Sequence, residues 1–180
     1  MGLNRAVFLD LNGTLVLPVK QESLSEMKII PNADLAVAKL IEGKFICPVI
    51  TVQSGIAKGR FTEDEFRNWF SDFFSRHRLD VKGPYICPHR FAEHCVCKKP
   101  NLFLYEQAAK DYSIDLSKSF VIGDTTADVT AGERMGGMGC LVRTGWSANE
   151  SEYQNAEHIA SYIGQTLGDV VNWVLSYNEK

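Results

Sequence analysis

The sequence predicts an α/β fold in which a parallel sheet carries helices on its faces. Three observations predict it. Strand-like and helical runs alternate along the chain, the pattern that lays helices over both faces of one sheet. The apolar run Ala6-Val7-Phe8-Leu9 stops at Asp10, and a second run, Val121-Ile122-Gly123, stops in the same way at Asp124. In a parallel sheet the carboxyl ends of the strands share one edge, and open α/β sheets bind their ligands there.

The elements follow in order. The first strand covers about Ala6 to Asp10. Gly13 lets the backbone turn sharply away, and Thr14 can hold that turn by a side-chain bond to the backbone. A polar loop runs through Pro18 and Lys28 to Pro31, and a helix from about Ala33 to Glu42 stops at Gly43. Phe45 to Thr51 reads as a strand, although Pro48 is poorly suited to a strand interior. Thr62 and Glu65 make a capping box, opening a helix with Phe66, Trp69, Phe70, Phe73 and Phe74 at helical spacing. This stripe reads as a core-facing surface; stacking on nucleobases would need a basic groove beside it. Pro84 to Cys87 is a short strand, and Pro100 opens a helix to about Tyr112. Ser119 to Gly123 is a strand, Thr126 to Met135 a helix and Gly139 to Val142 a strand. The C-terminal helix carries Ile163, Leu167, Val170, Val171 and Val174 on one face. No repeat, linker or low-complexity segment divides the chain, which reads as one domain over residues 1–180.

With 45% hydrophobic and 23% charged residues the chain is able to build an ordinary globular core. A net charge of −3 argues against general binding of nucleic acid or anionic membranes. There is no charged-then-apolar signal segment and no long apolar stretch, which predicts a soluble, cytoplasmic protein, expected to act as a monomer. A disulfide framework is not expected in that setting. Cys47 and Cys140 lie in apolar runs and read as buried thiols.

Four groups of residues can carry chemistry. Asp10 and Asp124, meeting at one sheet edge, repel each other unless a cation lies between them, and hard oxygen donors with room for water suit Mg²⁺. Asp128 opens the following helix, either as an N-terminal acid stabilised by the helix dipole or as a metal partner. Thr51, in Thr51-Val52-Gln53-Ser54, can offer its hydroxyl and the following N–H groups to a phosphate, or simply satisfy the loop backbone. The Lys98-Lys99 pair can be a solvated charge or, beside an anion site, can hold a phosphate. Cys87, His89, Cys95 and Cys97 match a closed Cys₃His zinc site, with His94 as an alternative ligand. A reactive dithiol is the competing reading. Zinc here would pin the loop just before Lys98 and leave no open position for catalysis.

Taken in order, these segments resemble the four motifs of the haloacid-dehalogenase-like (HAD) phosphohydrolases. Asp10-Leu11-Asn12-Gly13-Thr14 is similar to the first motif, Thr51 to the second, Lys99 to the third, and Gly123-Asp124 with Asp128 to the fourth. The stretch from Thr51 to Gly59, the Cys-Pro-His…Cys-Val-Cys-Lys-Lys-Pro segment and Arg143-Thr144-Gly145 resemble the histidinol-phosphatase-like branch, particularly its heptose 1,7-bisphosphate phosphatases. The resemblance implies a Rossmann-like three-layer sandwich with a zinc-stabilised loop. It implies Asp10 as nucleophile, with an aspartyl-phosphate intermediate. Thr51 and Lys99 would hold the transferring phosphoryl group, and Lys98 would contact substrate or product. Mg²⁺ would lie on Asp10, Asp124 and the Asn12 backbone carbonyl, with Asp128 beside it. Val52, Gln53 and Ser54 would line the substrate site. Asp10 and Thr51 are separated by 41 positions and Thr51 and Lys99 by 48, which leaves no length for a large cap domain.

Two positions depart from the pattern. Asn12 stands where the family normally has an Asp that serves as general acid and then general base. Asn keeps the backbone carbonyl and loses the proton transfer, worth a factor of about 10²–10⁴. Val52 stands where the heptose branch usually has Asn. The expected function is Mg²⁺-dependent hydrolysis of a small phosphorylated metabolite, a sugar phosphate or bisphosphate or, alternatively, histidinol phosphate. The competing expectation is a phosphatase-like binding or regulatory protein that turns over poorly; a redox or zinc-binding interaction module is a third.

Overall fold

The computed structural model describes residues 2–90 and 92–177. Strand β1 (Val7–Leu9) delivers Asp10 at its carboxyl end. The chain then folds into a small antiparallel hairpin, β2 (Val16–Leu17) against β3 (Lys28–Ile29). Helix α1 (Ala33–Glu42) ends where the Gly43 N–H reaches the Lys39 carbonyl. Strand β4 (Pro48–Val52) leads into the single-turn α2 (Ser54–Ala57) and the long α3 (Glu63–Arg76). Next come β5 (Lys82–Cys87), α4 (Phe103–Tyr112), β6 (Phe120–Gly123) and α5 (Thr126–Arg134). The chain closes with β7 (Met138–Val142), α6 (Glu150–Glu157), β8 (Tyr162–Gly164) and α7 (Leu167–Tyr177).

Six strands form one parallel sheet in the order β5-β4-β1-β6-β7-β8. The chain adds strands on one side of β1 and then returns to add them on the other. The switch point therefore lies at β1, and the carboxyl ends of β4, β1 and β6 stand side by side there.

The pleat sorts side chains into two cores. Val7, Leu9, Val49, Phe120, Ile122, Cys140 and Val142 pack on one face with α1, α3 and α7. Phe8, Ile50 and Val121, the alternate positions, pack on the other face with Leu104, Tyr105 and Ala108 of α4 and Ala131 of α5. Strands buried on both faces read as continuous apolar runs because each face needs its own residues. This is the expected three-layer sandwich, and no large cap domain stands among the described residues.

The capping box of α3 forms as expected. Thr62 Oγ1 accepts from the Glu65 N–H at 3.1 Å, and Glu65 Oε2 accepts from the Thr62 N–H at 2.7 Å. The stripe faces the core: Phe66, Phe70, Phe73 and Phe74 are buried, and Trp69 packs against them. Cys47 and Cys140 are buried thiols, both pushed up to about 12 by burial.

Several local readings change. The helix after Pro100 begins at Phe103, because Asn101 first closes a turn onto the Lys98 carbonyl. Pro48 opens its strand instead of interrupting it, at a point where the pairing with β5 shifts register. Phe45 lies outside that strand. Ile163 belongs to β8 and not to the C-terminal helix, where it pairs with Leu141. The polar loop read through Pro18 and Lys28 to Pro31 is closed at its base by the pairing of β2 with β3, and α6 was not anticipated. No helix among the described residues is long and apolar enough to cross a membrane.

Candidate active site

Three neighbouring strand ends build the floor of the site. Asp10 follows β1, Thr51 lies in β4 and Asp124 follows β6. Gly13 turns the chain with φ +92°, and its N–H donates to the Val16 carbonyl at 2.8 Å. A β-carbon on Gly13 or on Gly145 would run into the Asp124 carboxylate. The loop after β7 fastens this floor from the other side. Thr144 Oγ1 donates to the Gly13 carbonyl at 2.5 Å, and the Trp146 N–H donates to Asp124 Oδ2 at 2.6 Å.

Lys99 ties the carboxylates together. Its Nζ donates to Asp10 Oδ1 and to Asp128 Oδ1, each at 2.5 Å, and to the Ile50 carbonyl at 3.3 Å. The three side chains are almost fully buried, at 6% exposure for Lys99, 9% for Asp10 and 1% for Asp128. Burial pushes Asp10 up to about 6, with Lys99 opposing the shift and the Asp128 charge adding to it. Asp124 is pushed up to about 8 by burial, then by the charges of Asp10 and Asp128. Burial works against the Lys99 ammonium, but the two carboxylates outweigh it and hold its pKa well above the usual range.

Carboxylate oxygens of Asp10, Asp124 and Asp128 lie within 4.8 Å of one another. Three buried carboxylates with one ammonium leave an excess of negative charge, which fits a hard divalent cation such as Mg²⁺. Asp128 is the least available of the three. Its Oδ1 holds Lys99, and its Oδ2 accepts from the Thr125 N–H at 3.2 Å and Thr125 Oγ1 at 2.6 Å, capping α5. The helix-cap reading of Asp128 is realised through Oδ2, and Oδ1 serves Lys99.

Position 12 is held in a ring of amides. Asn12 Nδ2 donates to the Pro18 carbonyl at 3.2 Å and to Gln21 Oε1 at 3.1 Å. Gln53 Nε2 donates to Asn12 Oδ1 and to Thr51 Oγ1, both at 2.8 Å. Gln21 Nε2 closes the ring onto Gln53 Oε1 at 2.7 Å. Arg60 pins the strap that carries Gln21, donating to its carbonyl at 2.8 Å and pairing with Glu22 at 2.7 Å.

The second cluster is as expected. Cys87 Sγ lies 3.6 Å from Cys95 Sγ and 3.8 Å from His89 Nδ1; Cys97 Sγ lies 3.6 Å from Cys95 Sγ and 3.2 Å from His89 Nδ1. A tetrahedron with bonds of about 2.3 Å to sulfur has edges of about 3.7 Å, so the four ligands already stand where zinc would need them. His94 is not part of the cluster. All five cysteines are free thiols. Lys98 clasps the same loop, its Nζ donating to the carbonyls of Arg90 at 2.8 Å and Glu93 at 3.1 Å.

One cavity of about 850 Å³ joins the carboxylates, the amide ring and the Lys98-Lys99 pair. Asp10, Asn12, Thr51, Val52, Gln53, Ser54, Lys98, Lys99, Asp124 and Asp128 all line it. So do Lys58, which belongs to the Thr51–Gly59 stretch, and Lys20, Gln21, Arg60, Trp146 and Glu152, which the sequence did not single out. Lys20 caps the Trp146 ring at 4.6 Å from its centroid, and Glu152 accepts from the N–H and hydroxyl of Thr126. Of these latter residues, those of the loop around Lys20 and Gln21 carried an advance signal, its polar composition between two structured runs.

Known proteins share both sequence and fold with this chain. The model of HAD-hydrolase-like proteins matches residues 96–170. The D-glycero-beta-D-manno-heptose-1,7-bisphosphate 7-phosphatase of Haemophilus influenzae is 32% identical over 93% of this chain and 95% of its own length. The enzyme of the same name from Yersinia pestis is 33% identical over 92% of each chain. The crystal structure of the D,D-heptose 1,7-bisphosphate phosphatase from B. bronchiseptica, complexed with magnesium and phosphate, superposes with a TM-score of 0.82. It covers 96% of this chain and 99% of its own, at 23% identity. Identity of this level across nearly the whole chain, over a shared fold and motif order, places the protein in the HAD-like phosphatases, in the family of the heptose-1,7-bisphosphate 7-phosphatases.

Proposed function

We propose that this protein is a Mg²⁺-dependent phosphomonoesterase for a small phosphorylated sugar, working through an aspartyl-phosphate on Asp10. A heptose 1,7-bisphosphate is the first candidate substrate, by relation to the family. The observation that carries the reading is the burial of Asp10 against Lys99 at 2.5 Å, inside the cavity that also holds Thr51 and Asp124. An anionic nucleophile can approach a phosphate dianion only where its charge is compensated.

In this reading Asp10 Oδ forms a bond to phosphorus while the ester P–O bond breaks and the leaving alkoxide takes a proton from water. Water then attacks the acyl phosphate, releases inorganic phosphate and restores the Asp10 carboxylate. Lys99 and Thr51 hold phosphoryl oxygens through both steps, and Asp128 keeps Lys99 in place. Mg²⁺, held by Asp10, Asp124 and the Asn12 backbone carbonyl, would supply charge neutralisation for the transferring group. Val52, Ser54 and Lys98 would face the sugar. A phosphate-release screen over sugar phosphates, sugar bisphosphates and histidinol phosphate, with and without Mg²⁺, tests this. Release from none of them in Mg²⁺ would favour the second reading, a phosphate-binding protein of low turnover. The tethering of Asn12 in its amide ring, with no acid at that position, is the observation in its favour.

The raised carboxylates give a pH prediction. Asp10 and Asp124 hold protons in the folded protein up to about 6 and about 8, against an ordinary 3.8. Between these limits the folded state binds more protons than the unfolded one, so stability should fall as pH rises. In Mg²⁺-free buffer the thermal midpoint is expected to drop between about pH 4 and pH 8. Added Mg²⁺ should restore it increasingly toward pH 8, and Asp124→Asn should flatten the dependence. A Mg²⁺ effect equally large at pH 5 and pH 8 would contradict the carboxylate site.

We propose that Cys87, His89, Cys95 and Cys97 bind one structural Zn²⁺. Metal analysis of protein purified without added zinc should find about one equivalent. Cys95→Ser should lower phosphate affinity, because the loop leads directly into Lys98 and Lys99, and it should also lower the thermal midpoint, because Cys87 and Cys97 belong to the core on that face of the sheet. A zinc-free protein with a Cys95–Cys97 disulfide would overturn the assignment.

A further inference from the structure

We propose that Gln53 is a positioning residue that sets the direction of the Thr51 hydroxyl, and that Asn12 and Gln21 fix Gln53 for this purpose. The inference rests on the reading of Thr51 as a phosphoryl ligand.

The sense of the amide ring follows from one atom. The Pro18 carbonyl can only accept, so the end of Asn12 that faces it at 3.2 Å is the NH₂ group. Asn12 Oδ1 must then face Gln53, which presents its own NH₂. The second hydrogen of that NH₂ points at Thr51 Oγ1. Gln21 closes the ring with its NH₂ toward Gln53 Oε1 and its carbonyl toward Asn12, so every contact pairs a donor with an acceptor.

A hydroxyl oxygen that accepts from an N–H keeps its own hydrogen for another acceptor. Thr51 and Gln53 are each 1% exposed, so water cannot rearrange the pair. Thr51 also lines the cavity beside Asp10, where its hydrogen is available to an anion. The opposite sense would bring Gln53 Oε1 to Thr51, draw off that hydrogen and turn lone pairs toward the phosphate. A carboxylate at position 12 could accept from Gln53 but could not donate to both Pro18 and Gln21. The oxygen at position 12 holds the Gln53 NH₂ toward Thr51, and the NH₂ at position 12 ties this arrangement to the strap through Pro18 and Gln21.

The test is a double-mutant cycle read by calorimetric binding of inorganic phosphate in saturating Mg²⁺. Gln53→Met and Thr51→Val should each weaken binding by about tenfold or more, the scale of a hydrogen bond to a charged group. In the Thr51→Val background, Gln53→Met should cost less than about twofold further, because Gln53 acts through that hydroxyl. Gln21→Met, on the surface strap, should cause a smaller loss that also disappears in Thr51→Val, and it carries the test if Gln53→Met does not fold. Thermal midpoints measured in parallel separate binding from stability. Losses that multiply, or a Gln53→Met variant that binds phosphate as the wild type does, would overturn the assignment. Failure of the wild type to bind phosphate would refute the phosphate-site reading itself, and the assignment would fall with it.

Discussion

Asp10→Ala is expected to cut phosphate release by about 10⁴-fold or more, the scale of losing a covalent nucleophile. No neighbour is placed to take over. Both oxygens of Asp128 are committed, one to Lys99 and one to the cap of α5. Asp124 is fastened by the Trp146 N–H, and without a cation it holds a proton up to about pH 8. The variant should still fold, because Lys99 keeps Asp128 and the Ile50 carbonyl as partners. Wild-type protein quenched in acid during turnover should carry an acyl phosphate that is stable in acid, labile in alkali and cleaved by hydroxylamine, and that is absent from the variant. Undiminished turnover in Asp10→Ala would refute the aspartyl-phosphate route.

Asn12→Asp is expected to raise the rate on alkyl phosphates by roughly 10²-fold or more. The wild type should turn over weakly and prefer aryl and acyl phosphates, whose leaving groups are already stable anions. Its phosphoenzyme should also be long-lived, since no carboxylate activates the attacking water. The carbonyls of Pro18 and Gln21 that face the Asn12 NH₂ would face one oxygen of the new carboxyl. Two acceptors there favour the protonated acid, the form needed when the alkoxide departs. Burst kinetics on a matched pair of aryl and alkyl phosphates would measure both effects. Rapid alkyl turnover by the wild type, with no gain in the variant, would show that another group delivers the proton.

What could be read from the sequence follows from the range of the interactions involved. The strand-end carboxylates were legible because a buried run that stops at Asp is a local signal, and β1 and β6 obey it. The clustering of Cys87, His89, Cys95 and Cys97 was legible because thiols and an imidazole crowded into eleven positions have few other uses. The β2–β3 hairpin was not, because two-residue strands carry no periodicity. Helix α6 buries only Ala156 among the eight residues from Glu150 to Glu157, so it shows no apolar stripe. Gln53 was a candidate from its motif, yet its partners could not be foreseen. Gln21 lies 32 positions away, and the strap that carries it is held over Gln53 by both Asn12 and Arg60.

The glycines of the floor bear on how such a site can change over time. A side chain at Gly13 or Gly145 would strike the Asp124 carboxylate, and one at Gly123 would strike Asp128. The reacting end of the cavity is therefore closed to gradual variation, since the smallest enlargement displaces a charged group. The opposite wall is made by the strap around Lys20 to Glu22 and the loop near Lys98, which answer to surface hydrogen bonds and ion pairs. A lineage moving from one phosphorylated compound to another would rewrite that wall and inherit the floor unaltered.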